Sequence, residues 1–217
     1  MGPDGQGRDV GFFLDKYLAE LDAGRRDKLR KLAALHEKYR ERARLSAALE
    51  PEAYVIHLVA DSLKLVELAP PREGDALADV GSGGGYPGLP LAVARPDLRI
   101  TLLEPAPRKA EYLRLAAEEL GLANVTVEGK LAQEAAPGAF DVACSKALAG
   151  TEVALRLTLP LVRRGGRAVL YLGDISEGAL AALTAQAEAA GGRVGETHYY
   201  ELPTLDRPRL LADVIKA

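Results

Sequence analysis

The 217-residue sequence has one cysteine, one methionine, no tryptophan and only 5% aromatic residues. Because Cys144 is the single cysteine, an internal disulfide framework and a cysteine-based metal cluster are both excluded. No apolar run approaches the roughly twenty residues of a membrane-spanning helix. The polar N-terminal stretch also lacks the apolar centre of a signal peptide. We therefore expect a cytoplasmic protein without a membrane span. Hydrophobic residues make up 48% of the sequence, which is enough to form a full hydrophobic core.

A glycine-rich segment is the most informative stretch of the chain. Glycine fills five of the eight positions from Gly81 to Gly88, between a strand-like run and a helix-like run. Strand, glycine loop and helix begin a βαβ unit, and glycine lets the backbone come close to a ligand. The loop lacks the Gly-Lys-Ser/Thr ending of a Walker A motif. The residues predicted to contact a ligand here are Gly81, Gly83, Gly85 and Tyr86; for Tyr86, packing beneath the loop is an equal alternative.

Two acids narrow the choice of ligand. Asp79 stands two residues before the glycines, and Glu104 follows the next strand-like run. A carboxylate at Asp79 suits an ammonium group, and one at Glu104 suits a pair of ribose hydroxyls. The spacing of Gly83, Gly85 and Gly88 also matches the dinucleotide fingerprint, so NAD is an alternative. S-adenosylmethionine carries an ammonium and no phosphate, and the two acids favour it.

From residue 76 the chain alternates between apolar runs and amphipathic stretches, which predicts a parallel, doubly wound sheet. The last two strand-like runs have no helix between them, which predicts a hairpin and one antiparallel strand. This α/β pattern is the Rossmann-like architecture of class I S-adenosylmethionine-dependent methyltransferases. The predicted strands are 76–80, 99–103, 124–128, 140–144, 166–172, 193–201 and 209–215, and the predicted helices are 88–95, 107–120, 151–163 and 176–190.

Residues 1–70 are predicted to form an N-terminal helical extension, joined by a Pro- and Gly-containing linker to a methyltransferase domain at 71–217. Residues 24–44 carry nine Arg or Lys and three Asp or Glu, a local charge of +6 in a chain of net charge −3. Such a basic helix is either a solvated face or a surface for RNA phosphates. The predicted RNA-binding residues are Arg26, Arg30, Lys31, Lys38 and Arg42. His57 and Asp61 share a helix face, and we expect an exposed hydrogen-bonded pair.

Several segments resemble the bacterial 16S ribosomal RNA guanine-N7 methyltransferases, also called glucose-inhibited division protein B or small-subunit rRNA methyltransferase G. The Gly-aromatic-Pro-Gly segment at 85–88 is quite specific to that family. The His-x-x-x-Asp-Ser-Leu helix at 57–63 and the strand-four segment at 140–147 extend the likeness from roughly residue 45 to the C-terminus. The resemblance implies S-adenosylmethionine as cofactor, ribosomal RNA or the small ribosomal subunit as partner, and a monomer. It also places Leu131 and Ala132 near the adenine.

Four departures from the family pattern indicate a divergent member. Lys146 stands where the family has Arg, and Leu131-Ala132-Gln133 replaces Ala-Glu-Glu. Leu45-Ser46 replaces Asn-Leu-Thr, and the Lys of Leu-Lys-Gly is missing before Gly173. Alternatives therefore remain open: a methyltransferase acting on another RNA or a small molecule, or a non-catalytic protein with a relict cofactor pocket.

Guanine N7 carries a lone pair and no proton, so its methylation needs positioning and no general base. Lys146 lies past the fourth strand, beside the crevice where ligands bind in such sheets. It is the residue expected to bind the cofactor and position the substrate. Cys144 also permits a cysteine-nucleophile methyltransferase, but it falls inside a strand pattern and fits a buried hydrophobe better. No metal is expected, because His36 and His198 lack the spacing of metal ligands.

Overall fold

The computed structural model describes residues 8–46, 49–148, 150–173 and 176–217. Two helices come first, α1 (Val10–Tyr17) and α2 (Ala23–Ala43). Each is preceded by an aspartate, Asp9 or Asp22, whose carboxylate accepts a hydrogen bond from a backbone N–H of the first turn. Such caps satisfy donors that a helix start leaves unpaired.

The next helical stretch contains an irregularity that the sequence pattern did not predict. It begins as α3 (Pro51–Tyr54), passes through a π-helical segment (Val55–Ala60) and continues as α4 (Asp61–Leu68). Proline occupies the first turn, where its missing N–H costs nothing. Single π-helical turns inside α-helices often mark functional sites.

The sheet in the described residues has seven strands in the order β3-β2-β1-β4-β5-β7-β6. β7 is antiparallel to both β5 and β6, and the other pairings of neighbours are parallel. This confirms the predicted parallel sheet with one antiparallel strand from a terminal hairpin. The strands are β1 (Ala76–Val80), β2 (Arg99–Leu103), β3 (Val125–Glu128), β4 (Phe140–Lys146), β5 (Val162–Leu172), β6 (Gly192–Tyr200) and β7 (Arg209–Lys216).

The remaining helices cover both faces of the sheet, as expected for a doubly wound fold. They are α5 (Gly88–Ala94), α6 (Pro107–Glu119), α7 (Thr151–Thr158) and α8 (Glu177–Ala189). The N-terminal helices, α5 and α6 share a core with one face, where Leu29 of α2 and Leu77 of β1 are both fully buried. Helices α7 and α8 form the core of the other face.

The predicted boundary at residue 70 falls in the connection between α4 and β1. The division into an extension and a methyltransferase domain stays a prediction, and the shared core means that the N-terminal helices also support the sheet. Across the described ranges, none of the helices combines the length and apolar character that crossing a membrane requires.

Candidate cofactor and substrate site

The glycine loop lies at the carboxyl ends of β1 and β2, where open α/β sheets bind ligands. Glu104, the residue after β2, is 5% exposed and joins the two strands at this edge. One of its carboxylate oxygens accepts from the N–H of Gly83 at 2.8 Å and the other from the N–H of Ala106 at 2.8 Å. Each carboxylate oxygen has a second lone pair. Glu104 therefore holds the loop in shape and keeps acceptor capacity for ribose hydroxyls.

Asp79 lies beneath the loop, 1% exposed, at the second-last position of β1. Its Oδ2 accepts from the N–H of Gly88 at 3.0 Å, whereas its Oδ1 is buried with no partner among the described residues. Burial raises the pKa of this carboxyl to about 7. Oδ1 is thus the atom available to a cofactor ammonium, and that contact stays a prediction.

The predicted glycines differ in what surrounds them. Gly81, Gly83 and Gly85 all have positive φ, which side chains rarely adopt. A Cβ at Gly83 would meet only the Gly81 carbonyl oxygen, at 3.7 Å. A Cβ at Gly85 would lie 2.4 Å from Leu89 Cδ1, and one at Gly81 would lie 2.7 Å from Leu148 Cδ1. Gly85 is therefore required for packing, whereas the space above Gly83 is open to a ligand.

Tyr86 packs beneath the loop, which is the second of its two predicted roles. It is 8% exposed and its hydroxyl bonds to that of Tyr54 on α3. The His36 ring of α2 lies 5.7 Å from the Tyr86 ring, and its Cε1 would be 3.3 Å from a Cβ at Gly84. Burial lowers the pKa of His36, so it is neutral at physiological pH. This aromatic cluster couples the N-terminal helices to the glycine loop.

Lys146 is the last residue of β4. The sequence predicted that its side chain would extend into the ligand-binding crevice, but in the structure it is held by other residues of the chain. Its side chain is 9% exposed, and Nζ lies 2.7 Å from Asp61 Oδ2 and 2.8 Å from the carbonyl oxygen of His57. Burial lowers the pKa of Lys146, and the Asp61 carboxylate opposes that effect. The lysine is thus anchored to the π-helical segment and α4, and its contacts with cofactor or substrate stay a prediction.

The expectation of an exposed His57–Asp61 pair was wrong. Asp61 is fully buried, and His57 Nε2 lies 3.2 Å from the Thr204 hydroxyl. The carboxylate instead binds Lys146, Arg209 and Tyr200. Sequence spacing placed both residues on one face but gave no sign that a hairpin from the far end of the chain covers that face. The only local signal was the likeness of residues 57–63 to a family motif.

A cavity of about 210 Å³ opens between the carboxyl ends of β4 and β5. Its lining includes Ser145, Ala147, Leu148, Thr151, Tyr171 and Gly173. Leu131 is 49% exposed and Ala132 is 7% exposed, at the turn after β3. The carboxylate of Glu134 accepts from the Leu131 N–H at 2.9 Å. The segment Tyr171-Leu172-Gly173-Asp174, in which the family's lysine is missing, ends at Asp174, which lies outside the described residues.

The five predicted RNA-binding residues separate into two groups along α2. Arg26 is 2.8 Å from Asp15, and Arg30 pairs with Asp27. Lys31 binds Glu119, at the end of α6 that faces the amino ends of the strands. Lys38 lies over the Tyr39 ring, and Arg42 lies 3.6 Å from Glu111, near the start of α6. About 16 Å of helix separates residues 31 and 42, so only the second group lies at the cofactor end.

These residues fit S-adenosylmethionine better than a dinucleotide. Oδ1 of Asp79 offers an unpaired buried acceptor to an ammonium, and a carboxylate there would oppose a pyrophosphate. Glu104 offers acceptors to hydroxyls at the end of the adjacent strand. Among the described residues, no three His, Cys, Asp or Glu side chains come close enough to hold a metal ion. Cys144 is fully buried in β4, as the packing interpretation predicts.

Comparisons with known proteins identify the family of this chain. The family described as rRNA small subunit methyltransferase G (GidB) matches residues 25–204. A ribosomal RNA small subunit methyltransferase G from Sorangium cellulosum is 40% identical over 71% of this chain and 65% of its own length. One from Sodalis glossinidius is 33% identical over 90% of this chain and 94% of its own.

Among solved structures, P. horikoshii TYW2 in complex with MeSAdo aligns with a TM-score of 0.62 and 12% identity, over 81% of this chain and 66% of that one. At that identity the likeness shows a shared fold. The match to S. cellulosum covers slightly less than two thirds of that relative. The family match spans most of the chain, from α2 to the loop after β6. The chain therefore belongs to the rRNA small subunit methyltransferase G (GidB) family.

Proposed function

We propose that the protein transfers a methyl group from S-adenosylmethionine to N7 of a guanine in small-subunit ribosomal RNA. The observation that carries the proposal is the pair of acids at the carboxyl ends of β1 and β2, where Glu104 accepts from the N–H of Gly83 and Asp79 accepts from the N–H of Gly88. It presents a buried unpaired carboxylate oxygen and an open glycine face in a chain of the GidB family. Leu131 and Ala132 are proposed to border the adenine.

The protein's part in this reaction is positioning. When bound, S-adenosylmethionine supplies an electrophilic methyl group on a sulfonium. Asp79 binds the ammonium of the cofactor and Glu104 binds its ribose, and the target base enters at the carboxyl end of β4, beside Lys146. Guanine N7 attacks through its lone pair, so no side chain removes a proton. Because N7 lies in the base plane, the guanine has to be unstacked before it enters this site.

The RNA-binding surface proposed here is the end of α2 together with the start of α6. A cavity of about 390 Å³ between them is lined by Tyr39, Arg42 and Arg108, among others. Arginine and an aromatic ring suit a phosphate and a stacked base. The exposed Arg42–Glu111 pair is weak, about 0–1 kcal/mol, so Arg42 can exchange it for a phosphate. Arg26, Arg30 and Lys31 lie at the far end of α2 and serve better as controls.

The decisive experiment gives purified protein methyl-labelled S-adenosylmethionine with naked 16S rRNA, assembled small subunits and a cell extract cleared of RNA. The proposal expects label in the rRNA, recovered as 7-methylguanosine after digestion to nucleosides. Label in small molecules alone would favour the alternative of a small-molecule methyltransferase. The departures from the family pattern at Leu131-Ala132-Gln133 and Lys146 point to that alternative. Cofactor binding without transfer to any fraction would indicate a relict pocket.

A further inference from the structure

Asp61 is a fully buried acid to which three distant parts of the chain donate. Its Oδ2 lies 2.7 Å from Lys146 Nζ and 3.0 Å from Arg209 Nη1, and its Oδ1 accepts from the Tyr200 hydroxyl at 2.7 Å. We call Asp61, Lys146, Arg209 and Tyr200 the Asp61 cluster. It ties α4 to the carboxyl end of β4 and to the β6–β7 hairpin. One carboxylate serves two cations, so the cluster carries a net charge of +1.

The contacts of Lys146 define the direction of its remaining donor. A lysine ammonium has three N–H groups in tetrahedral arrangement. One points to Asp61, and a second donates to the carbonyl oxygen of His57 in the π-helical segment, at 2.8 Å. Fixing two N–H directions also fixes the third. Without Asp61, the side chain would have one anchor and could rotate.

We propose that Asp61 is a positioning residue for methyl transfer, which holds the Lys146 ammonium so that its third N–H meets the O6 acceptor of the target guanine. This inference rests on the proposed function. Guanine presents O6 and N7 side by side on one edge. A donor fixed at O6 therefore sets the orientation of N7 toward the methyl group. Adenine carries an amino group at that position and cannot accept this bond.

The charge of Asp61 matters as well as its position. Burial lowers the pKa of Lys146, Asp61 and Asp79 raise it, and Arg209 lowers it further. Loss of the Asp61 charge leaves the lysine beside Arg209 with less to oppose deprotonation. The methyl transfer of Asp61→Asn is therefore expected to fall as pH rises through the lowered pKa. The groups around this lysine are His57 and Asp61 from the N-terminal helices, Asp79 from β1, Tyr171 from β5, Tyr200 from β6 and Arg209 from β7.

Single-turnover methyl transfer at saturating S-adenosylmethionine, measured from about pH 6 to about pH 9, tests the inference. Asp61→Asn is expected to be at least about tenfold slower at neutral pH, and its deficit relative to the wild type is expected to grow as pH rises. Asp61→Glu keeps the charge but moves it by one methylene, so it is expected to be slower at every pH. Cofactor affinity is expected to stay within about twofold in both. The matched control is Asp213→Asn, a buried acid 2.6 Å from Arg167 near the opposite end of the sheet.

The control is expected to lower Tm and leave the transfer rate unchanged. An Asp61→Asn variant with the rate and pH profile of the wild type would overturn the inference. A double variant, Asp61→Asn with Lys146→Ala, gives a second test. If Asp61→Asn slows methyl transfer by the same factor in the Lys146→Ala background as in the wild type, Asp61 acts independently of the lysine, and the inference is overturned. If Asp61→Asn does not fold, Asp61→Glu alone decides, and a wild-type rate in it contradicts the inference.

An NMR titration of Lys146 in the wild type and Asp61→Asn requires no substrate. A lower lysine pKa in the variant is the expected result and supports the coupling of Asp61 to Lys146. If the wild type transfers no methyl group to rRNA, the proposed function is refuted, and the role of this coupling in methyl transfer falls with it. An unchanged lysine pKa contradicts the inference even in a protein active on rRNA.

Discussion

Replacing Glu104 with glutamine removes a negative charge from the point where β2 meets the glycine loop. Both carboxylate oxygens accept backbone N–H groups, from Gly83 and Ala106, at 2.8 Å. Glutamine has one acceptor oxygen, so one of these N–H groups would face an amide NH₂. A hydrogen bond to a charged group contributes about 1.5–3 kcal/mol. At about 2–4 °C per kcal/mol for a protein of this size, Tm is expected to fall by roughly 3–12 °C.

The ribose hydroxyls would lose a charged acceptor in the same variant. We expect the Kd for S-adenosylmethionine to rise about 10–100-fold, or about 1.4–2.8 kcal/mol, measured by isothermal calorimetry well below Tm. The matched control is Glu128→Gln at the end of β3, where the acid pairs with Lys130 at the surface. Its Kd and Tm should match the wild type. A Kd within about twofold in Glu104→Gln, with a lowered Tm, would show that Glu104 supports the loop without binding the cofactor.

Three further changes test other parts of the site. Burial raises the pKa of Asp79 to about 7, so its carboxyl is neutral below that pH. The affinity for S-adenosylmethionine, measured by calorimetry, should therefore rise with pH through about 7. An affinity that does not depend on pH would show that the ammonium binds elsewhere. Gly83→Ala should abolish most cofactor binding and lower Tm by only about 2–8 °C, because the positive φ of Gly83 costs a side chain roughly 1–2 kcal/mol. Gly85→Ala should lower Tm further, because its Cβ would also lie 2.4 Å from a leucine carbon. Lys38→Glu with Arg42→Glu should weaken RNA binding and reduce the slope of its salt dependence by about one for each lost phosphate contact. If charge reversal of Arg26, Arg30 and Lys31 weakens RNA binding equally, the end of α2 is not the RNA-binding surface.

The sheet was predictable because hydrophobic patterning and chain order both act locally. Predicted and observed strand ends agree within a few residues, except that β5 begins at Val162, before two glycines that look like a break. The glycine loop and its two acids were predicted from residue types and their positions relative to the strand-like runs. Their partners were not, because a backbone N–H that binds Glu104 or Asp79 leaves no mark in the residue types.

The environment of Lys146 shows where sequence reasoning stopped. Its position at the end of β4 followed from strand order. Its partner, Asp61, lies 85 positions earlier, and Arg209 and Tyr200 come from a hairpin that closes over α4. No periodicity links these segments, so only the tertiary structure brings them together. The same holds for α2, whose charge of +6 is reduced by acids of α6 that are distant in sequence.

The central claim concerns one atom, N7 of a guanine in small-subunit rRNA. It is tested most directly by supplying the protein and labelled S-adenosylmethionine with two transcripts of 16S rRNA, one normal and one made with 7-deazaguanosine, in which a C–H replaces N7. Our account predicts label as 7-methylguanosine in the normal transcript and none in the substituted one. Equal labelling of both transcripts would contradict it, because the methyl group would then be going to a different atom.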